Sequence, residues 1–493
     1  MTGDPLDKFL HRAESGPDLI CIQETDRHLT YSEFTDLVCR YAFSFAQTGE
    51  HPKVLIHLPQ SADAYAAMFA TLMAGGFYAC SNTEWPPDRQ ARVAGLFRPD
   101  VVVSDQPGAV ADLGCPPSSK IVHSTKLPNK RLEAPKPPHD LAYVMFTSGS
   151  TGVPKGVMVP RSGLAHYTDW AQDAMDLTPE DRWSQHPNIA FDLSVLDIYG
   201  ALCSGASLHP MTGTMDRMFP ATFIRDRSLT IWNSVPSVLD MMRSAQQMTP
   251  EHLGSLRMFT FCGEPLYREQ VQAIFDARPD ATVHNTYGPT EATVSCTLLK
   301  LTPENLDAAS GQCMAFGDSI PGMDLHFMKD GVEGDEGEIV LSGPQLARGY
   351  WEAPDITADV FNELEIGGHP FPCYRTGDWG RRENGHHFFI QRIDHQIKIR
   401  GYRVELGEID KVARELGARA ACTVFADNAL HCFVEGADKL DVNAIRDGMI
   451  RTLPEYAVPS VIRQLESLPR NANEKIDASA LAKRVTDEPN ATD

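Results

Sequence analysis

The chain has 493 residues, 42% of them apolar and 22% charged, which is ordinary for a globular protein and enough for roughly three domains of about 150 residues. Forty-four basic against 66 acidic side chains leave a net charge of −22, which excludes sequence-independent nucleic-acid binding, because that needs Lys and Arg to displace counterions. Eleven scattered cysteines, with no Cys-x-x-Cys pair and no Cys/His group at zinc spacing, exclude a disulfide framework and suit a reducing cytoplasm.

The first residues lack a basic segment leading into an apolar run, so no secretory signal is read there. Residues 54–58 read as a strand and 62–74 as a helix. The most apolar stretch, 64–80, is broken by Gly75 and Gly76 and is short for a membrane span, so a buried helix plus strand is expected and no membrane insertion. Strand signals recur at 101–103, 142–146, 229–232, 258–261 and 282–283. Short apolar strands between amphipathic helices indicate parallel α/β layers. From about Gly311 to Arg382 the texture changes to short β-like runs between Gly-rich turns, which predicts a small β subdomain. The last hundred residues alternate helix and strand again, as a compact α+β unit, and the polar residues after about Val485 are expected to be disordered.

The sharpest local feature is Phe146-Thr-Ser-Gly-Ser-Thr-Gly-Val-Pro-Lys-Gly156, directly after an apolar strand. Glycines 149, 152 and 156 let the backbone approach an anion without Cβ clashes. The hydroxyls of Thr147, Ser148, Ser150 and Thr151, with the loop N–H groups, are the donors a polyphosphate needs. Lys155 adds a point charge. It is not a Walker A loop, because Gly156 follows the lysine where Ser or Thr would hold magnesium. A flexible linker has no reason to follow a buried strand or to carry Pro-Lys-Gly.

This loop closely resembles the signature of the ANL superfamily: acyl-CoA synthetases, luciferases and the adenylation domains of nonribosomal peptide synthesis. Further motifs resemble that superfamily in its expected order: Leu29-Thr-Tyr-Ser-Glu33, Leu72-Met-Ala-Gly-Gly-Phe-Tyr78, Asn285-Thr-Tyr-Gly-Pro-Thr-Glu291, Gly337-Glu-Ile-Val-Leu-Ser-Gly343 with Ala347-Arg-Gly-Tyr350, Tyr374-Arg-Thr-Gly-Asp378, Arg392 to Gly401, Leu453 to Pro459, and Asn473-Glu-Lys-Ile-Asp477. The resemblance implies a large N-terminal domain (1–393) of two doubly wound α/β subdomains plus a small β-barrel subdomain. A small mobile α+β domain (394–493) would follow, with a hinge at Asp394.

The implied reaction is attack of a carboxylate on the α-phosphate of ATP, then transfer of the acyl group to the phosphopantetheine thiol of a carrier protein. Two anions must meet, so cations and dipoles are needed where charge builds up, and Mg2+ can neutralise and orient the phosphates. By resemblance Glu291 is the metal ligand and Thr290 contacts the α-phosphate. Gly263, Glu264, Pro265, Asn285, Thr286, Tyr287 and Gly288 form the adenine pocket and its surround. Asp378 holds the ribose, Arg392 lies near the ribose or phosphates, and Lys475 swings in to bridge carboxylate and phosphate.

An aspartate at the place of Asp192 marks amino-acid substrates in this superfamily, because its carboxylate pairs with the α-ammonium. A fatty or aryl acid would leave that carboxylate buried and unpaired. The competing structural reading of Asp192 is a helix N-cap. The other pocket positions are Leu193, Leu196, Asn233, Thr260, Cys262, Thr286, Val294 and Ser295, none charged. Cys262 and the segments around Asp192 and Glu291 look most like the D-alanine–carrier protein ligases. Alanine is therefore favoured, with the enantiomer, glycine and serine left open, since one methylene is worth only about 1–3 kcal/mol in a pocket. No fused carrier domain is read, so the carrier would act in trans. Three positions depart from the pattern: Gln391 and Glu474 stand in place of glycines, and Ala478 in place of an arginine. Rival readings are a CoA ligase on the same fold and a catalytically silent homologue that binds a carrier or nucleotide.

Overall fold

The computed structural model describes residues 3–106, 109–149, 153–366, 369–393, 396–399, 401–436, 440–470 and 476–487. The alternating strands and helices assemble into two largely parallel sheets. The first runs in the order Lys120–Val122, Val101–Val103, Lys53–Ile56, Phe77–Cys80, Leu141–Thr147, Lys155–Pro160, and only its last strand is antiparallel. The second has nine strands: Asp318–Ser319, Thr297–Leu301, Thr282–Asn285, Met258–Phe261, Ile231–Ser234, Arg182–Gln185, Ser207–Pro210, Ile20–Gln23 and His28–Thr30. Its inner strands pair in parallel and its edge strands antiparallel.

Strands covered on both faces must be apolar throughout, and Val101–Val103 and Met258–Phe261 are buried at every residue. The helix Ala62–Met73 is buried at every residue except Asp63 in its first turn, as a helix apolar on nearly all sides must be, and Ser61 caps its start. One hydrophobic core runs through both sheets. Along the second sheet the side chains alternate: Ile231 and Met258 enter that core, while Trp232, Phe259, Phe261 and Val283 enter a second one on the opposite face.

The change of texture after Gly311 corresponds to an antiparallel half-barrel. Its strands are Val332–Gly334, Asp324–Lys329, Glu336–Ser342, His369–Glu383 and Phe361–Ile366, with His386–Arg392 paired to His369–Glu383. A β-hairpin (Gln396–Ile399 with Tyr402–Glu405) then leads into a small α+β sheet of Ala420–Ala426, Ala429–Glu435 and Val461–Leu465, with its own cores.

Three details differ from the sequence reading. The strand expected at 229–232 is Ile231–Ser234: Ser228 turns left-handed (φ +48°) and Leu229 N–H donates to Ile224 O, which makes Leu229 part of the preceding helix's C-terminal cap. The helix Ala478–Asp487 runs past Val485, whose side chain is buried, and 488–493 lie outside the described residues. Gln391 sits in an extended strand opposite Trp379, so a non-glycine residue carries no strain there. Among the described residues, no helix is long and apolar enough to cross a membrane.

Candidate active site

A cavity of about 970 Å³ opens where the two sheets, the half-barrel and the C-terminal unit meet. Its walls come from just beyond the C-terminal ends of parallel strands, where open α/β sheets leave a crevice: Thr147 and Ser148 from the first sheet, Val235, Cys262, Gly263 and Gly288 from the second.

The start of the Ser/Thr/Gly loop lies on this wall. Gly149 packs so closely against the Val153 carbonyl that a Cβ would clash with it. Lys155 opens the next strand, with Nζ 3.8 Å from Glu405 Oε1 and 5.7 Å from the Tyr350 ring centroid. Ser150, Thr151 and Gly152 lie outside the described residues, as do Asp394, Glu474 and Lys475.

Opposite the loop, Thr290 lines the cavity and Glu291 is fully buried behind it. Burial opposes ionisation of Glu291. The Arg403 guanidinium, with Nη1 3.0 Å from each carboxylate oxygen, and the Tyr350 hydroxyl at 2.7 Å outweigh that and hold its pKa below the ordinary value. A buried carboxylate beside Thr290 fits Mg2+, which takes one or two protein carboxylates and completes its shell with water and substrate phosphates.

On the third side, Asp378 and Arg392 both line the cavity and pair at 2.8 Å, and Tyr287 Oη donates to Asp378 at 2.7 Å. Asn285 is buried and donates to the Ala315 carbonyl. Glu264 is engaged at both oxygens, by the Ser237 and Gly401 N–H groups, and Pro265 faces solvent away from the cavity.

Asp192 stands at the start of the helix Leu193–Ser204, but its backbone is helical and its side chain makes no cap hydrogen bond. The carboxylate lines the cavity and accepts from Thr290 Oγ1 at 2.5 Å. Burial raises its pKa, with Thr290 and Lys398 pulling the other way. Beside it, Leu193, Cys262 and Val294 line the cavity, whereas Leu196, Asn233, Thr260, Thr286 and Ser295 sit behind that wall. Asn233 Nδ2 turns to Asp197 (2.6 Å) and the Leu193 carbonyl (3.2 Å). Val294 holds a left-handed backbone (φ +73°), unusual for a β-branched residue, and such strain persists where the surroundings fix a wall.

The sequence reading placed 392–401 in a hinge motif but gave the hairpin formed there no part in the cavity, which it reaches into from the C-terminal unit. Lys398, Gly401, Tyr402 and Arg403 all line it. Ser148 Oγ donates to the Arg403 carbonyl at 2.7 Å. Gly401 (φ +80°) sits where a Cβ would collide with Val235. Tyr402 stacks on Tyr456 with centroids 3.9 Å apart and packs edge-on to Phe191. The available signal was the alternation of Ile397 and Ile399 with Gln396 and Lys398 before a glycine, which reads as a hairpin with one polar face.

A family model described as AMP-binding enzyme matches residues 9–351. The D-alanine–D-alanyl carrier protein ligase of Staphylococcus aureus (strain MRSA252) is 31% identical, over 98% of this chain and 99% of that protein. The crystal structure of the Vibrio cholerae adenylation domain AlmE with glycyl-adenosine-5′-phosphate superposes with a TM-score of 0.84 and 26% identity, over 99% of this chain and 98% of that one. Holo-PA1221, a nonribosomal peptide synthetase protein with adenylation and carrier domains, shares the fold at a TM-score of 0.82 and 23% identity, over 98% of this chain and 84% of that one. The chain belongs to the AMP-binding enzyme family and is an AMP-forming, adenylating ligase of the ANL superfamily.

Proposed function

We propose that the protein activates a small amino acid, alanine before glycine or serine, as its aminoacyl-AMP and passes it to the phosphopantetheine thiol of a separate carrier protein. The observation that carries this reading is the Asp192 carboxylate on the cavity wall, beside Thr290, with Leu193, Cys262 and Val294 lining the same cavity. Asp192 holds the α-ammonium and aims the carboxylate toward the phosphate wall. On this reading Leu193, Cys262 and Val294 bound the side-chain space, which admits a hydrogen or a methyl and excludes longer side chains.

In the first half-reaction the substrate carboxylate attacks the α-phosphorus of ATP and pyrophosphate leaves. Thr147, Ser148, Ser150, Thr151 and the N–H groups of Gly149 and Gly152 receive phosphate oxygens, with Lys155 as counter-charge. Asp378, oriented by Tyr287 and Arg392, accepts from the ribose hydroxyls. Glu291 would hold Mg2+, which neutralises phosphate charge. Lys475 bridges the reacting carboxylate and phosphate. In the second half-reaction the carrier thiolate attacks the acyl carbonyl and AMP leaves. We assign 1–393 to the core and 394–493 to a lid turning about Asp394, because the two steps need different groups in one cavity. A reducing cytoplasm suits eleven free thiols.

The D-alanyl carrier ligase of S. aureus and the glycyl-adenylate in the V. cholerae structure support a small amino-acid substrate. The test is ATP–pyrophosphate exchange with D- and L-alanine, glycine, serine and leucine. Exchange with an alanine-sized substrate and none with leucine is expected. Preference for a carboxylic acid without an amine contradicts the reading.

A further inference from the structure

We propose that Asp197 and Asn233 form a buried clamp which fixes the first turn of the helix Leu193–Ser204 to the second sheet and so holds Asp192 at the cavity wall. Both are positioning residues that act through Asp192. The inference rests on Asp192 receiving the substrate amine, as proposed above.

Asp192 makes no cap hydrogen bond to its own helix, and that helix is buried at all twelve residues. Apolar packing gathers such a helix against a sheet but is not directional. Rotation or sliding of the helix would carry the Asp192 carboxylate with it. Asn233 supplies a directional tie. It stands in the strand Ile231–Ser234, with its N–H donating to Ser184 Oγ of the neighbouring strand at 3.2 Å. Its Nδ2 donates twice to the helix, to the Leu193 carbonyl at 3.2 Å and to Asp197 Oδ1 at 2.6 Å. Residues four apart lie on one face of a helix. Both hydrogens of one amide therefore grip one face of the first turn, beginning at the residue that follows Asp192. Neither Asn233 nor Asp197 has exposed surface, so water does not compete for these bonds.

Asp197 suits this place as an uncharged acid. Burial pushes its pKa well above the ordinary value, against a smaller opposite pull from Asn233 and the His186 backbone, and no cation among the described residues pairs with it. Ionised, it would be a buried unpaired charge, which is the costly state. Neutral, it keeps an acceptor for the Asn233 amide and gains a hydroxyl donor, in a pair whose other oxygens, Asp197 Oδ2 and Asn233 Oδ1, are buried without partners. One helix thus begins with two aspartates in opposed settings. Asp192 faces the cavity, where an ammonium can reach it, and Asp197 faces the sheet, where it meets an amide.

The test is pyrophosphate exchange by the full chain, with KM read separately for alanine and for ATP and the thermal midpoint measured alongside. Asp197→Leu or Asn233→Leu alone leaves a buried polar partner unpaired and could fail to fold. The deciding variant is therefore the double substitution Asp197→Leu/Asn233→Leu, because exchanging both partners for apolar groups of similar shape is nearly neutral for stability. It should keep a thermal midpoint close to that of the unaltered protein and leave KM for ATP unchanged. Its KM for alanine should rise roughly 10-fold, within the range up to about 100-fold that a misplacement of about 1 Å can cost. Asp197→Asn, which keeps a neutral side chain with an acceptor oxygen, should restore both constants. An unchanged KM for alanine in the folded double variant overturns the clamp. Failure of the double variant to fold also overturns it, since the pair would then be a structural need alone. So does an Asp197→Asn variant as impaired as the double one, because charge and not the amide contact would then be at work. Asp192→Asn separates this from the reading it rests on: if that substitution leaves KM for alanine unchanged, the amine is not held by Asp192 and the reading itself fails. If it raises KM and the double variant does not, only the clamp fails.

Discussion

Asp192 carries most of the functional weight, and its environment makes a pH prediction. Burial keeps its pKa above the ordinary value, so the carboxyl stays partly neutral at pH values where an exposed aspartate is ionised. Only the ionised form attracts an ammonium. The Michaelis constant for the amino acid in pyrophosphate exchange should therefore fall as pH rises through that raised pKa and then level off. Asp192→Asn should show no such limb. A second prediction concerns pocket size. Val294→Gly removes the strained wall and opens the space toward Ser295, so the kcat/KM ratio of 2-aminobutyrate to alanine should rise about 10-fold or more, read by the same exchange assay. The presence of an acidic group at 192 and of Thr290 beside the phosphate wall was legible as motif residues. Their contact was not, because it joins positions 98 residues apart in sequence through a 2.5 Å hydrogen bond. Nor was the retreat of Asn233, whose amide prefers Asp197 and a helix carbonyl to the cavity. Side-chain choices of this kind depend on partners that spacing does not reveal.

At the scale of elements, the hairpin Gln396–Ile399/Tyr402–Glu405 brings Lys398, Gly401, Tyr402 and Arg403 to the cavity wall. Gly401 is needed both for its left-handed backbone and for its approach to Val235. Gly401→Ala should leave the exchange half-reaction largely intact, since the collision with Val235 arises only while the hairpin sits in the cavity, but it should slow acyl transfer to a phosphopantetheinylated carrier about 10-fold, the scale of about 1–3 kcal/mol of backbone strain. Single-turnover assays of the two steps would separate them, and equal loss in both would contradict this division of labour. The parallel strands were readable because strands buried on both faces must be continuous apolar runs. Residues 392–401 were read as a hinge motif, but the strand pair and its place in the cavity were not, because the segment carries more charge than a strand usually tolerates. Arg403 and Glu405 are tolerated there because Gln396 bonds Arg403 within the hairpin and Glu291 and Lys155 meet the pair from the large domain.

Across the whole molecule, side-chain contacts join the large α/β core to the smaller α+β unit. Arg89 and Glu408 form one of them, a fully buried pair at 2.9 Å with Arg89 also over the Trp85 ring. Arg89→Ala leaves Glu408 buried without its cation, at a cost of about 3–5 kcal/mol to this arrangement. Faster amide exchange in the helix Leu406–Glu415, with the two large sheets unchanged, is the expected result. The layered α/β architecture, the β subdomain and the α+β end were all legible from strand and helix periodicity. The way the end unit leans into the cavity was not, because it is set by side-chain pairs between distant segments. The central claim, that Asp192 recognises an ammonium, is tested most directly by calorimetry with two sulfamoyl-adenosine ligands that differ only in the amine, alanyl and propionyl. The alanyl compound should bind about 2–5 kcal/mol more tightly to the unaltered protein, the range for a buried charge pair, and the gap should vanish in Asp192→Asn. Equal affinity of the two ligands for the unaltered protein, or a gap that survives the substitution, would contradict it.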